Sequence, residues 1–133
     1  MIAGSLSICG AWTGTTIPAT PENPKGFFEH VCLRERILKP LLDNLGNERL
    51  GVRSLPPINH MTYFPKLAEA ISLILHSDGY THDRPWLYKD PKLTLLWPVF
   101  RQALPNARWV VTCGMRTTLS IHAHGPLFSR STG

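Results

Sequence analysis

Lys89 and Asp90 are the residues whose types and position best fit a chemical role. They follow an apolar triplet, WLY at residues 86–88, that has the composition of a short buried strand. Open α/β sheets place their ligand sites at the carboxyl ends of strands, so these two side chains are candidates for such a site. A lysine can neutralise an anionic group in transfer, and a carboxylate can take a proton from the attacking atom. The alternative is a solvated turn in which Asp90 caps a helix that begins at Pro91.

The histidines and cysteines form no metal-binding pattern. Of the six histidines, only His122 and His124 share a ligand-like spacing, and the three cysteines form no CxxC pair. We therefore predict no metal centre and no disulfide framework, and we interpret the histidines as surface or structural residues. Unpaired cysteines are typical of a reducing compartment, so the sequence predicts a cytoplasmic protein.

Hydrophobic periodicity predicts four helices that would position these groups. They are expected near residues 1–12, 29–45, 61–76 and 93–104, and Gly46 is expected to stop the second of them. Pro40 is expected to kink the second helix, and Pro98 lies inside the fourth.

Two short strands, at residues 86–88 and 108–112, flank the last predicted helix. Strand, helix and strand at this spacing indicate a βαβ unit, which requires a parallel sheet. Residues 87–89 and 109–112 should then be adjacent and parallel, with the helix as their right-handed crossover. The predicted fold class is α/β, a short parallel sheet with flanking helices.

Composition is that of a globular chain. Apolar residues make up 43% and charged residues 17% of the 133 residues, which excludes a disordered class, and no run is long and apolar enough to span a membrane. The net charge of +5 suits an anionic ligand, or it only maintains solubility. No Lys/Arg run with interleaved aromatic residues marks a nucleic-acid surface, so a nucleic-acid partner is not expected.

Three segments together resemble the sulfotransferase family, particularly its bacterial and phage-type members with a P-loop-like domain. They are PENPKGFFEH at residues 21–30, WLYKDPKL at 86–93 and LPNARWVVT at 104–112. In this order and at these spacings they cover about residues 1–112. The resemblance implies transfer of a sulfuryl group from 3′-phosphoadenosine 5′-phosphosulfate (PAPS) to a hydroxyl or amine, on a small-molecule or glycan acceptor.

The resemblance also assigns roles to individual residues. It implies catalytic roles for a lysine and two carboxylates, namely Lys89, Asp90 and Glu29. It places Lys25, Phe27 and Phe28 on the acceptor side. At the donor's 3′ end it offers Arg116 and Ser120, which are out of register with the family's pair.

The sequence departs from the family pattern at both ends. No segment resembles the Pro-Arg-Ser-Gly-Thr-Ser loop that holds the 5′-phosphosulfate, and the first residues, MIAG, look like the continuation just after it. Residues 113–133 contain no Asp, Glu or Lys and have no periodicity, so we predict an aberrant tail without regular structure, explained by a shifted reading frame. The expected function is therefore a sulfotransferase impaired by loss of the donor-binding loop, with weak donor binding. The first alternative is a non-catalytic remnant or small interaction module, and the second is an anion- or nucleic-acid-binding domain that acts through its basic surface.

Overall fold

The computed structural model describes residues 2–50, 64–114 and 119–124. Contacts divide the chain into two compact units, Met1–Ala103 and Leu104–Gly133. The division falls nine residues before the predicted boundary at 112/113. Each unit is described separately below.

The first unit is helical. Its helices are α1 (Ile2–Ile8), α2 (Val31–Leu33), α3 (Lys39–Asn44), α4 (Leu67–Ser77) and α5 (Leu93–Ala103), and a π-helical segment, Arg34–Leu38, joins α2 to α3. These elements lie within the predicted helical regions, to within one residue, but two of them are shorter than predicted. α1 ends at Ile8, and α4 begins at Leu67, because residues 64–66 are described and not helical and residues 61–63 lie outside the described part. In the described part of the chain, no helix combines the length and apolar character that a membrane crossing requires.

Glycine ends α3 as predicted. Gly46 has φ +73, its N–H donates to the Asp43 carbonyl, and the N–H of Asn47 donates to the Leu42 carbonyl. This pair of bonds is the Schellman arrangement, in which a left-handed residue satisfies the last carbonyls of a helix. The stop at Gly46 is therefore confirmed.

Pro40 changes the helix type instead of breaking the helix. Proline cannot donate the backbone bond that an α-helix requires, and its ring crowds the carbonyl four residues earlier. The preceding turn is π-helical, and the N–H of Lys39 donates to Arg34, five residues back. The widened turn accommodates Pro40 and keeps residues 31–44 helical.

Apolar side chains of the helices form the core of the first unit. Five of them are at most 1% exposed: Leu33, Leu38, Leu42, Ile71 and Leu96. Leu75, Val99 and Phe100 are buried as well. Burying an aliphatic or aromatic side chain of this size stabilises the fold by about 1.5–3 kcal/mol.

An extended segment, residues 12–17, fixes the relative position of two distant parts of the sequence. On one side, Trp12 accepts a hydrogen bond from the Leu87 N–H (2.8 Å) and forms a parallel bridge with Trp86. On the other side, the Ile17 N–H donates to the Glu29 carbonyl at 2.9 Å. The segment therefore brings the stretch that precedes Lys89 alongside the stretch that contains Glu29.

The described part of the second unit contains an antiparallel strand pair, β1 (Trp109–Gly114) and β2 (Leu119–His124). The register places Trp109 opposite His124 and Gly114 opposite Leu119. β2 lies in the tail for which no regular structure was predicted, and residues 125–133 lie outside the described part.

The predicted parallel ladder between 87–89 and 109–112 is absent from the described residues. β1 pairs with β2, and residues 86–88 have only the bridge between Trp86 and Trp12. The predicted pairing is therefore wrong for the described residues, because the sequence pattern of β1 does not tell which strand pairs with its edge. The α/β fold class stays a prediction.

Candidate functional site

Glu29 and Lys89 form the centre of the candidate site. Lys89 Nζ donates to Glu29 Oε1 at 3.1 Å, across a sequence separation of 60 residues. The Glu29 side chain is only 7% exposed, whereas that of Lys89 is 37% exposed. A buried carboxylate therefore holds an ammonium group that remains accessible to a ligand from solvent.

Arg34 is a second cation beside the same carboxylate, and sequence reasoning missed it. Its Nε lies 3.6 Å from Glu29 Oε2, so the two Glu29 oxygens face different cations. Arg34 is the first residue of the π-helical segment, and its N–H donates to the His30 carbonyl. The spacing of Glu29 and Arg34 was the sequence signal available for this contact. It was not sufficient, because the change from α-helical to π-helical geometry cannot be predicted from that spacing.

Asp90 lies beside this pair and organises the start of α5. Its Oδ1 accepts a hydrogen bond from the Lys92 N–H at 2.9 Å, and Lys92 Nζ lies 3.6 Å from the same oxygen. The Leu93 N–H donates to the Asp90 carbonyl. These contacts fit the capping alternative, while the second carboxylate oxygen, Oδ2, remains buried without a hydrogen-bond partner among the described residues.

Burial raises the pKa of Asp90, whose side chain is 0% exposed. The nearby Glu29 carboxylate raises it further, whereas the hydrogen bond from Lys92 opposes the shift. Burial likewise raises the pKa of Tyr88, and the Asp90 and Glu29 charges add to that shift. Tyr88 Oη is also buried without a partner in the described part of the chain. A carboxylate with a raised pKa is a better proton acceptor near neutral pH than an ordinary aspartate.

The residues expected on the acceptor side have different surroundings. Lys25 is exposed, and Phe27 is half-buried. Phe28 has φ +56, and a Cβ built on Gly4 would lie 3.1 Å from its Cζ. The Phe28 ring therefore packs against the backbone of α1, a contact that is sufficient to explain the residue structurally.

The residues expected at the donor's 3′ end belong to the second unit. Arg116 lies outside the described residues. Ser120 lies in β2 of the second unit, where its backbone pairs with Cys113.

A second polar cluster lies around His30, which is 1% exposed. His30 Nδ1 accepts the Leu33 N–H at 3.3 Å and caps α2, and Nε2 lies 3.2 Å from Asp78 Oδ2. Asp78 also accepts bonds from the Thr15 N–H (2.6 Å) and the Thr15 hydroxyl (2.8 Å). Gly14 has φ +62, and a Cβ there would lie 2.5 Å from Asp78 Oδ2.

The geometry of the His30 cluster indicates a structural role. Desolvation by burial lowers the pKa of His30, and the Asp78 charge opposes that shift. For Asp78, desolvation acts to raise the pKa, but the hydrogen bonds from Thr15 and the nearby His30 lower it. Both ring nitrogens of His30 face protein atoms, so the ring joins α2 to the end of α4.

Comparison with models of protein families, with curated protein sequences and with solved structures gave no match. Among the residues that the structure describes, no three His, Cys, Asp or Glu side chains are grouped to hold a metal ion.

Proposed function

We propose that this chain is a sulfotransferase-like protein whose sulfuryl-transfer site is centred on Lys89. The observation that carries the proposal is the hydrogen bond between Lys89 and Glu29. The two residues come from separate segments that resemble the sulfotransferase family, and their side-chain atoms lie 3.1 Å apart. The resemblance comes from the sequence alone, so the contact between the two side chains is a separate observation.

The chemistry resembles phosphoryl transfer, in which positioning and charge neutralisation dominate. The acceptor oxygen or nitrogen attacks the sulfur of PAPS, and the bond from sulfur to the bridging oxygen breaks. Lys89 would neutralise the charge that develops on that leaving oxygen. Asp90, with its raised pKa, would take the acceptor's proton.

The structure suggests different roles for the two buried carboxylates. Glu29 lies between Lys89 and Arg34, so its charge is committed to holding cations. Asp90 Oδ2 has no hydrogen-bond partner among the described residues and is the better candidate for the base. Asp90 Oδ2 is also fully buried, so an acceptor must displace part of the site to reach it.

A second function, a non-catalytic remnant or interaction module, is favoured by one contact. Asp90 Oδ1 accepts the Lys92 N–H at 2.9 Å at the start of α5, as a purely structural cap would do. In that case Lys89 only neutralises Glu29, and the site has no chemistry of its own.

Sulfuryl transfer from radiolabelled PAPS to a panel of hydroxyl and amine acceptors separates the two functions. The proposal expects low turnover that Lys89→Ala abolishes, and Lys66→Ala is the control because Lys66 is exposed and precedes α4. Equal activity of wild type and Lys89→Ala would exclude Lys89 as the sulfuryl-facing cation. Absence of turnover with every acceptor would favour the non-catalytic function.

The proposal also includes a cytoplasmic location. It is supported by the unpaired spacing of the three cysteines in the sequence, and Cys9 is exposed while Cys32 is half-buried. Alkylation of Cys9 in intact cells by a membrane-permeant reagent, without prior reduction, tests this location.

A further inference from the structure

Lys89 can swing out to a ligand only if it gives up its hydrogen bond to Glu29. Their bond is 3.1 Å long, and the Glu29 side chain is 7% exposed. If Lys89 leaves, the carboxylate loses its hydrogen-bonded cation inside the protein, and breaking a buried ion pair from one side is strongly unfavourable. Movement of Lys89 away from Glu29 therefore requires another cation to pair with the Glu29 carboxylate.

Arg34 has the geometry of that replacement. Its Nε lies 3.6 Å from Glu29 Oε2, is buried, and has no hydrogen-bond partner in the described part of the chain. Closing that gap to a charge-assisted hydrogen bond of about 2.8 Å requires a movement of less than about 1 Å. The next carboxylate, Glu35, is 4.0 Å from Arg34 Nη1 but is already bound by Lys39 Nζ at 2.6 Å.

The backbone supports the same assignment. Arg34 begins the π-helical segment, and its N–H is fixed by the His30 carbonyl next to Glu29. π-Helical turns occur frequently at functional sites.

We propose that Arg34 is a positioning residue that takes over Glu29 when Lys89 swings out to an anionic group. Two cations thus share one buried carboxylate, and their competition sets how tightly Lys89 is held. This inference rests on the proposed function, because it concerns the same lysine. It assigns Arg34 no contact with substrate.

The test measures how tightly Lys89 is held, in the purified chain without donor or acceptor. The rate of hydrogen exchange of the Lys89 ammonium is followed by nitrogen-15 NMR, with the signal assigned by its loss in Lys89→Arg. Arg34→Met removes the competing cation and leaves Lys89 paired with Glu29. Exchange of the Lys89 ammonium hydrogens should therefore slow about threefold to fivefold, the size of one partly exposed ion-pair interaction. Arg34→Lys should restore most of the wild-type rate and provides a second variant if the methionine substitution impairs folding.

Two further variants separate this role from a structural one. Arg36→Met is the matched control, because Arg36 lies in the same π-helical segment but lines a groove with Ala70 and Leu73 of α4, so it should leave the rate unchanged. In a Glu29→Gln background, exchange should be fast and Arg34→Met should have no further effect. An unchanged rate in Arg34→Met, or equal slowing with and without Glu29, would overturn the inference. Because no sulfuryl transfer is measured, either result is independent of whether the chain is a sulfotransferase.

Discussion

Gly14→Ala should be one of the most damaging single-methyl additions in the first unit. Gly14 has φ +62, which costs a residue with a side chain about 1–2 kcal/mol. The added Cβ would also lie 2.5 Å from Asp78 Oδ2 and 2.7 Å from two His30 ring atoms. All three distances are too short for a real Cβ, so both Asp78 and the buried ring of His30, which is 1% exposed, must shift.

Moving Asp78 sacrifices a bond to the backbone. Its Oδ2 accepts the Thr15 N–H at 2.6 Å, and a hydrogen bond to a charged group contributes about 1.5–3 kcal/mol. Backbone strain and the lost bond together predict a decrease of about 2.5–5 kcal/mol in the free energy of unfolding.

Gly46→Ala is the matched control for this prediction. Gly46 has a similar φ of +73, and nothing lies within 4 Å of an added Cβ, so only the backbone cost of about 1–2 kcal/mol should appear. Urea denaturation followed by tryptophan fluorescence gives both values, since Trp12 lies against His30 with ring centroids 5.8 Å apart. Equal losses in the two variants would refute the steric argument at Gly14.

The remaining predictions concern pH and one buried hydroxyl. The pKa of His30 is lowered in the fold, so the unfolded chain takes up its proton first, and stability should fall as pH decreases below about 6.5. The pKa of Asp78 is also lowered, so its contribution is present above about pH 4 and is lost below that value. Urea midpoints between about pH 2 and pH 8 check both, and His30→Gln should flatten the upper part of the profile. Tyr80→Phe removes the bond from the Tyr80 hydroxyl to the Arg84 carbonyl (2.6 Å) and should cost about 1 kcal/mol in the same assay, whereas no loss would show that water replaces it.

Much of the helical framework was predictable because its signals are local. The spacing of Leu67, Ile71 and Leu75 marks the buried face of α4, and Gly46 marks the end of α3. Strand pairing was not predictable in the same way. An apolar run such as 109–112 indicates a strand, but its partner depends on contacts that the run does not encode.

The site was predictable only in part for the same reason. Family resemblance led to Glu29 and Lys89, whose side chains form a hydrogen bond. Arg34 and Tyr88 join them through three-dimensional packing. Arg34 lies outside the family-like segments, and Tyr88 lies within WLYKDPKL but was assigned no role. His30 was interpreted as a surface or structural residue, and its burial beside Asp78 is visible only when residues 12–17 bring distant segments together.

The central claim, that Lys89 faces the donor's sulfuryl end, is tested most directly by NMR titration of this 133-residue chain with adenosine 3′,5′-bisphosphate. Its 5′-phosphate stands in for the phosphosulfate. No segment of these residues resembles the 5′-binding loop, so we predict weak binding, with a dissociation constant of about 1 mM or above. Lys89→Ala should weaken it at least about tenfold, the size of one charge-assisted contact, while Lys66→Ala leaves it unchanged. Binding that is the same in wild type and Lys89→Ala would contradict the claim.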